Sequence, residues 1–158
     1  MVDILLNTRK INYTSSLKVD NLKQKIEELF NQSTSTFVGN FTNQNEFSAY
    51  DKWSVIAWYV PNFKRKSAYL KGEILKSGKG TVLNLNMRPN TMLSVGPILS
   101  VLFGIILIIA TGLNTGNSRF LFIGLFFILV GILYYAFGLY SRNRLRNNFE
   151  KNLGLQKV

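Results

Sequence analysis

Carboxylates remain the possible acid and base groups of this chain, because it contains neither histidine nor cysteine. Histidine-based triads, imidazole metal sites and thiol chemistry are therefore excluded, and with them the usual zinc sites. Glu46, Asp51 and Glu73 lie in a strand-rich region, and Glu27 and Glu28 lie on a helix. Paired carboxylates act as acid and base only at a specific separation. We predict no catalytic, cofactor or metal site, and a carboxylate enzyme is the alternative.

Two short motifs resemble catalytic or phosphate-binding sequences without completing them. Residues 15–18 have the S-x-x-K spacing of serine–lysine enzymes, but no Lys-Thr-Gly or Ser-Asp-Asn partner follows. Residues 77–81, Ser-Gly-Lys-Gly-Thr, lack the full spacing of a phosphate-binding loop and lie between two predicted strands. A hairpin turn explains this second motif better.

Basic residues give the chain a formal charge of +11. Close to an anionic membrane surface each Lys or Arg contributes about 1 kcal/mol of attraction. We therefore predict lipid headgroup contacts for two clusters that lie near the apolar segments described next, although routine orientation signalling explains them equally well. The predicted contact residues are Lys64, Arg65, Lys66, Arg142, Arg144 and Arg146. Aromatic residues of an apolar strand do not alternate with basic ones, so we predict no nucleic-acid binding.

Two long apolar runs, residues 92–113 and 120–140, are separated only by a short polar turn. They contain thirteen and fourteen Leu, Ile, Val or Phe residues, and no charged residue interrupts either run. At 1.5 Å per residue each run reaches about 30 Å, the thickness of the hydrocarbon core of a bilayer. Helices that are apolar on every face are not expected in a small soluble domain. The pattern predicts a transmembrane helical hairpin.

Charge distribution predicts the orientation of this hairpin. Residues 1–91 carry 13 Lys or Arg against 7 Asp or Glu, residues 141–158 carry 5 against 1, and the turn carries a single Arg. By the positive-inside rule both termini are cytoplasmic. We predict a cytoplasmic domain over residues 1–91, a hairpin over 92–140 and a basic cytoplasmic tail over 141–158.

Small residues recur at helical spacing within the hairpin and predict close helix packing. The first span carries two small-xxx-small steps, and the second carries glycine at every seventh position. The predicted packing residues are Gly96, Ser100, Gly104, Gly124, Gly131 and Gly138. Sequence alone leaves open whether they pack within one hairpin or in a homo-oligomer.

The pattern of residues 1–91 predicts a small α+β domain. A weak alternation suggests a strand around Leu5 or Ile11, and a three-four spacing of apolar residues from Ser16 to Asn31 predicts an amphipathic helix. Strands follow at 37–41, 46–50, 53–60, 68–76 and 81–87, mostly antiparallel. Residues 88–91, Arg-Pro-Asn-Thr, join the last strand to the hairpin with little slack.

In layout the chain resembles small bacterial membrane proteins in which a cytoplasmic domain precedes a two-helix anchor, although no motif carries the resemblance. We therefore expect a protein of the bacterial inner membrane, whose α+β domain serves as an interaction or scaffold module. The expected partners are anionic lipid and an unidentified protein.

Overall fold

Six strands and three helices make up the part of the chain that the computed structural model describes, residues 6–52, 66–78, 80–113 and 119–157. The strands are β1 (Arg9–Ser15), β2 (Phe37–Phe41), β3 (Glu46–Asp51), β4 (Ala68–Ser77), β5 (Gly80–Pro89) and β6 (Gln156–Lys157). The helices are α1 (Val19–Asn31), α2 (Thr91–Leu113) and α3 (Arg119–Leu153). The predicted α+β class, with two long apolar helices after the sheet, is confirmed.

All strands belong to one antiparallel sheet with the order β2-β3-β4-β5-β1-β6. The first strand forms around Ile11, which pairs with Leu85 of β5. Strand β6, from the end of the chain, pairs with β1 through Tyr13 and Lys157. The predicted strand at 53–60 lies outside the described residues.

Strands β4 and β5 form the longest hairpin and show why one face of the sheet is buried. Ser77 pairs with Gly80, which leaves two residues in the loop, and Gly78 has a φ of 38°. Such loops need positive φ, which glycine adopts without a steric penalty. Alternate residues along both strands, such as Leu70 and Leu85, are buried, whereas the residues between them point to the open face.

Helix α1 covers part of the buried face of the sheet. Leu22, Ile26 and Leu29 are buried, and Val19 and Phe30 pack against the same core. This is the apolar face that the spacing predicts, and its burial stabilises the domain by about 1.5–3 kcal/mol for each large side chain.

Helices α2 and α3 are long and apolar enough to cross a membrane. Most of their large apolar side chains remain outward-facing; Leu99 is 61% exposed and Phe122 is 67% exposed. A soluble core helix would bury such residues. Their exposure over the whole length of the hairpin is typical of a surface that contacts lipid.

Helix α3 does not end with its apolar segment. Its 35 residues continue to Leu153, a length of about 52 Å at 1.5 Å per residue. Residues 141–153, which lie in the predicted basic tail 141–158, continue this helix and pack on the sheet. The physical reason is an apolar stripe, Leu145, Phe149 and Leu153, which is spaced by four residues and fully or nearly fully buried.

Candidate functional site

Asn90 lies at the junction between the sheet and the hairpin and makes hydrogen bonds to both. The Asn90 backbone N–H donates to the carbonyl of Ser67 at 2.9 Å, and its Nδ2 donates to the carbonyl of Lys66 at 2.9 Å. Its Oδ1 accepts from the backbone N–H of Met92 at 3.0 Å, which caps the first turn of α2. Asn90 therefore joins the start of β4 to the start of α2.

The second connection runs through the core. The ring of Phe149 on α3 lies 5.6 Å from that of Phe37 and 5.6 Å from that of Phe47, the latter pair stacked. All three side chains are buried. Because α3 has no break between its apolar segment and Phe149, the domain is attached to the hairpin at two points, Asn90 and the length of α3.

Of the three arginines that follow the second apolar run, Arg142 and Arg144 contact residues outside α3, and Arg146 pairs within α3. Arg142 is 8% exposed, and its Nη1 donates to the carbonyl oxygen of Asn7 at 2.7 Å. Arg144 Nε lies 3.9 Å from the Asp51 carboxylate, which is 2% exposed, and Arg146 forms an ion pair with Glu150 at 3.4 Å. The positive charges of Arg142 and Arg144 therefore lie beside Asn7 and Asp51. The even spacing of the arginines in the sequence does not predict these partners.

Of the other predicted headgroup contacts, Lys66 is half-buried beside the start of α2, whereas Lys64 and Arg65 lie outside the described residues. Lipid contact by the six basic residues stays a prediction. The structure favours Lys66 over Arg142, Arg144 and Arg146, because a guanidinium group that is hydrogen-bonded or ion-paired within the domain has fewer donors left for a phosphate.

A buried tyrosine ties α3 to the first strand. The Tyr13 hydroxyl donates to the Glu150 carboxylate, which also forms the ion pair with Arg146. Burial raises the pKa of Tyr13 well above its usual range, and the hydrogen bond and negative charge of Glu150 raise it further. The tyrosine is therefore a neutral hydrogen-bond donor at physiological pH.

The predicted packing residues mostly meet within the hairpin. A Cβ atom on Gly124 would lie 2.7 Å from the carbonyl oxygen of Gly104, and one on Gly131 would lie 2.9 Å from that of Pro97. Ser100 Oγ donates to the carbonyl of Phe127 at 2.7 Å.

The two remaining predicted packing residues, Gly138 and Gly96, differ in how closely they approach the other helix. A Cβ on Gly138 would lie 3.1 Å from the Leu93 carbonyl oxygen, whereas one on Gly96 would have no neighbour within 4 Å. Heptad spacing thus marks the side of α3 that faces α2, and Gly96 lies off this interface. Homo-oligomerisation stays a prediction.

The open face of the sheet carries a shallow groove of about 710 Å³. Amide and charged side chains line it, including Lys10, Asn12, Ser48, Lys71, Asn84 and Asn86. No helix covers this groove in the part of the chain that the structure describes. Such a surface offers hydrogen-bond donors, acceptors and charges of both signs to a partner.

The candidate carboxylates divide between two places. Glu46 and Glu73 are cross-strand neighbours and both line the groove. Asn43 Nδ2 donates to Glu46 at 3.0 Å, and Asn84 Nδ2 donates to Glu73 at 3.4 Å. Asp51 lies on the buried face instead and pairs with an arginine. Two of the three carboxylates therefore share a concave surface, which keeps the enzyme alternative open.

Comparison of the chain with protein-family models, with curated proteins and with solved structures found no match. Within the described ranges, no group of three or more Asp or Glu residues is placed to hold a metal ion.

Proposed function

We propose that this chain is a small integral protein of the bacterial inner membrane that holds an α+β binding domain against the cytoplasmic surface, as an interaction or scaffold module. The observation that carries the proposal is the continuity of α3, which extends without a break from its exposed apolar segment to Phe149 in the core. A domain held in this way has a fixed position relative to the bilayer. It does not swing on a flexible linker.

The pairing of β6 with β1 supports a hairpin with both termini on one side of the membrane. Residues before α2 and after the apolar part of α3 belong to one sheet and one core. They must therefore lie on the same side. The excess of basic residues on these flanks argues that this side is the cytoplasm.

The groove on the open face is the surface that we assign to a protein partner. Antiparallel sheets commonly leave one face to solvent. A face that binds a partner also needs polar groups that fix the orientation of the partner. The groove supplies such groups, as amides from β1 and β5 and lysines from β1 and β4. The domain's basic residues add attraction to anionic lipid.

A topology experiment tests the anchor. The full chain, expressed in bacteria, is expected to stay in the membrane pellet after alkaline carbonate extraction. A fluorescent reporter fused after Val158 should fluoresce, since such reporters mature in the cytoplasm. Extraction into the supernatant, or activity of a periplasmic reporter at the same position, contradicts the proposal.

A cross-linking experiment tests the binding surface. A photoreactive amino acid at Asn86, in the groove, should give a discrete cross-linked protein in cells of the source organism. The matched control is Glu27, which is exposed on α1. The same products from both positions, or none from Asn86, would count against the groove. Loss of a measured activity on replacing Glu46 and Glu73 by Gln would instead favour the enzyme.

A further inference from the structure

Two tyrosines and two cations form a row on the open face of the sheet, at the end that joins α2. Tyr50, Tyr69 and Arg88 are successive cross-strand partners on β3, β4 and β5. The Arg88 guanidinium lies 5.9 Å from the centroid of the Tyr69 ring, and Lys66 Nζ lies 5.2 Å from that of Tyr50. These distances are within the range of cation–π attraction. We refer to Tyr50, Lys66, Tyr69 and Arg88 as the tyrosine–cation row.

The chain fixes the row close to the start of the hairpin. Arg88 precedes the first residue of α2, Thr91, by three positions, so their Cα atoms are at most about 11 Å apart. Lys66 is tied to the same place, because its carbonyl accepts the hydrogen bond from Asn90 that was described above. Met92, one residue into α2, is already 51% exposed and apolar. The row therefore lies where apolar surface gives way to polar surface.

The chemistry of the row matches the headgroup layer of a bilayer. Tyrosine is enriched at membrane interfaces, where its ring lies among lipid chains and its hydroxyl among headgroups. Lysine and arginine at this depth are attracted to anionic lipid, and arginine can bind a phosphate through two hydrogen bonds. Lys66 and Arg88 lie beside tyrosine rings, whereas Arg144 and Arg146 each form an ion pair with a carboxylate.

We propose that the tyrosine–cation row is a lipid-binding surface that takes the phosphate of an anionic phospholipid, with Arg88 and Lys66 as donors and the two tyrosines inserted among the headgroups. This inference rests on the proposed membrane anchor and specifies which residues make its lipid contact. It transfers that role from the tail arginines, whose charges face the domain, to residues next to Asn90.

Lipid binding by the full chain in detergent tests the row. Native mass spectrometry would measure the dissociation constant for phosphatidylglycerol and for neutral phosphatidylcholine. With about 1 kcal/mol for each of the two cations, the double variant Lys66→Gln/Arg88→Gln should bind phosphatidylglycerol about thirtyfold more weakly. The control, Lys18→Gln/Lys76→Gln, removes the same charge from two exposed positions near the β4–β5 turn, at the end of the sheet away from α2, and should bind as the unaltered chain does.

Three results would overturn the proposal: equal weakening in both double variants, equal affinity of the unaltered chain for the two lipids, or displacement of phosphatidylglycerol by millimolar inorganic phosphate. The charge-preserving variant Lys66→Arg/Arg88→Lys should retain lipid binding. Loss of binding by this variant at unchanged thermal stability would show that charge at these positions does not hold the lipid. Carbonate extraction of the same variants separates the two proposals. A row variant that stays in the membrane but binds phosphatidylglycerol normally refutes the row and leaves the anchor intact.

Discussion

Replacing Phe149 by alanine should loosen the packing of α3 on the domain core, because this ring contacts Phe37 of β2 and Phe47 of β3. It is fully buried and packs on Phe37 and Phe47 at 5.6 Å. Truncation of a buried Phe costs about 3–5 kcal/mol. Total stability is about 5–15 kcal/mol for an ordinary domain. The variant should therefore raise the equilibrium constant for opening by roughly 10² to 10⁴.

Hydrogen exchange measured by mass spectrometry on the full chain in detergent would report this opening. The slowest amides of β2 and β3 exchange only when the core opens, so their exchange should accelerate by the factor above. The matched control is Phe122→Ala, the same change at a site on α3 that is 67% exposed; it should leave the sheet unchanged. If Phe149→Ala left exchange in β2 and β3 as slow as in the unaltered chain, α3 would not be part of the core.

Two further predictions concern the hairpin and the pH dependence of stability. Gly124→Ala would place a Cβ 2.7 Å from the Gly104 carbonyl oxygen, and this overpacking of about 1–3 kcal/mol should lower the Tm in detergent. The control Gly112→Ala, whose Cβ would have no neighbour within 4 Å, should leave the Tm unchanged. Equal effects of the two variants would argue against close contact between α2 and α3. Because the folded-state pKa of Tyr13 is raised, its contribution to stability is complete below about pH 10, the unfolded value, and is lost as the pH rises above it. Tyr13→Phe should therefore flatten the fall in Tm above about pH 10. An identical fall in both proteins would show that folding does not raise the pKa of Tyr13.

Periodicity was sufficient to predict most of the fold. The three-four spacing of Leu22, Ile26 and Leu29 identified the buried face of α1, and alternation at Leu83 and Leu85 identified that of β5. These patterns are readable because each element has one buried face, so burial follows local sequence.

The extension of α3 into the core was not predicted, and the reason is physical. Leu145, Phe149 and Leu153 are separated by one arginine, one lysine, one glutamate and three asparagines, so the segment resembles a solvated basic tail until the sheet is present to cover its apolar stripe. The α3 residues Arg144 and Glu150 contact Asp51 and Tyr13, which are far from them in the sequence. Such contacts depend on strand order and register, which no local pattern contains.

The order of elements makes the hairpin an insertion within the domain. Strands β1 to β5 precede α2, but the residues that complete the core, Leu145 and Phe149, and the strand that pairs beside Tyr13 follow the apolar part of α3. The sheet therefore buries its face fully only after both long helices have been made. Correct placement of the hairpin is thus a condition for a folded domain. A chain in which α3 did not fold back along α2 would leave Phe37 and Phe47 without the ring of Phe149 that packs against them.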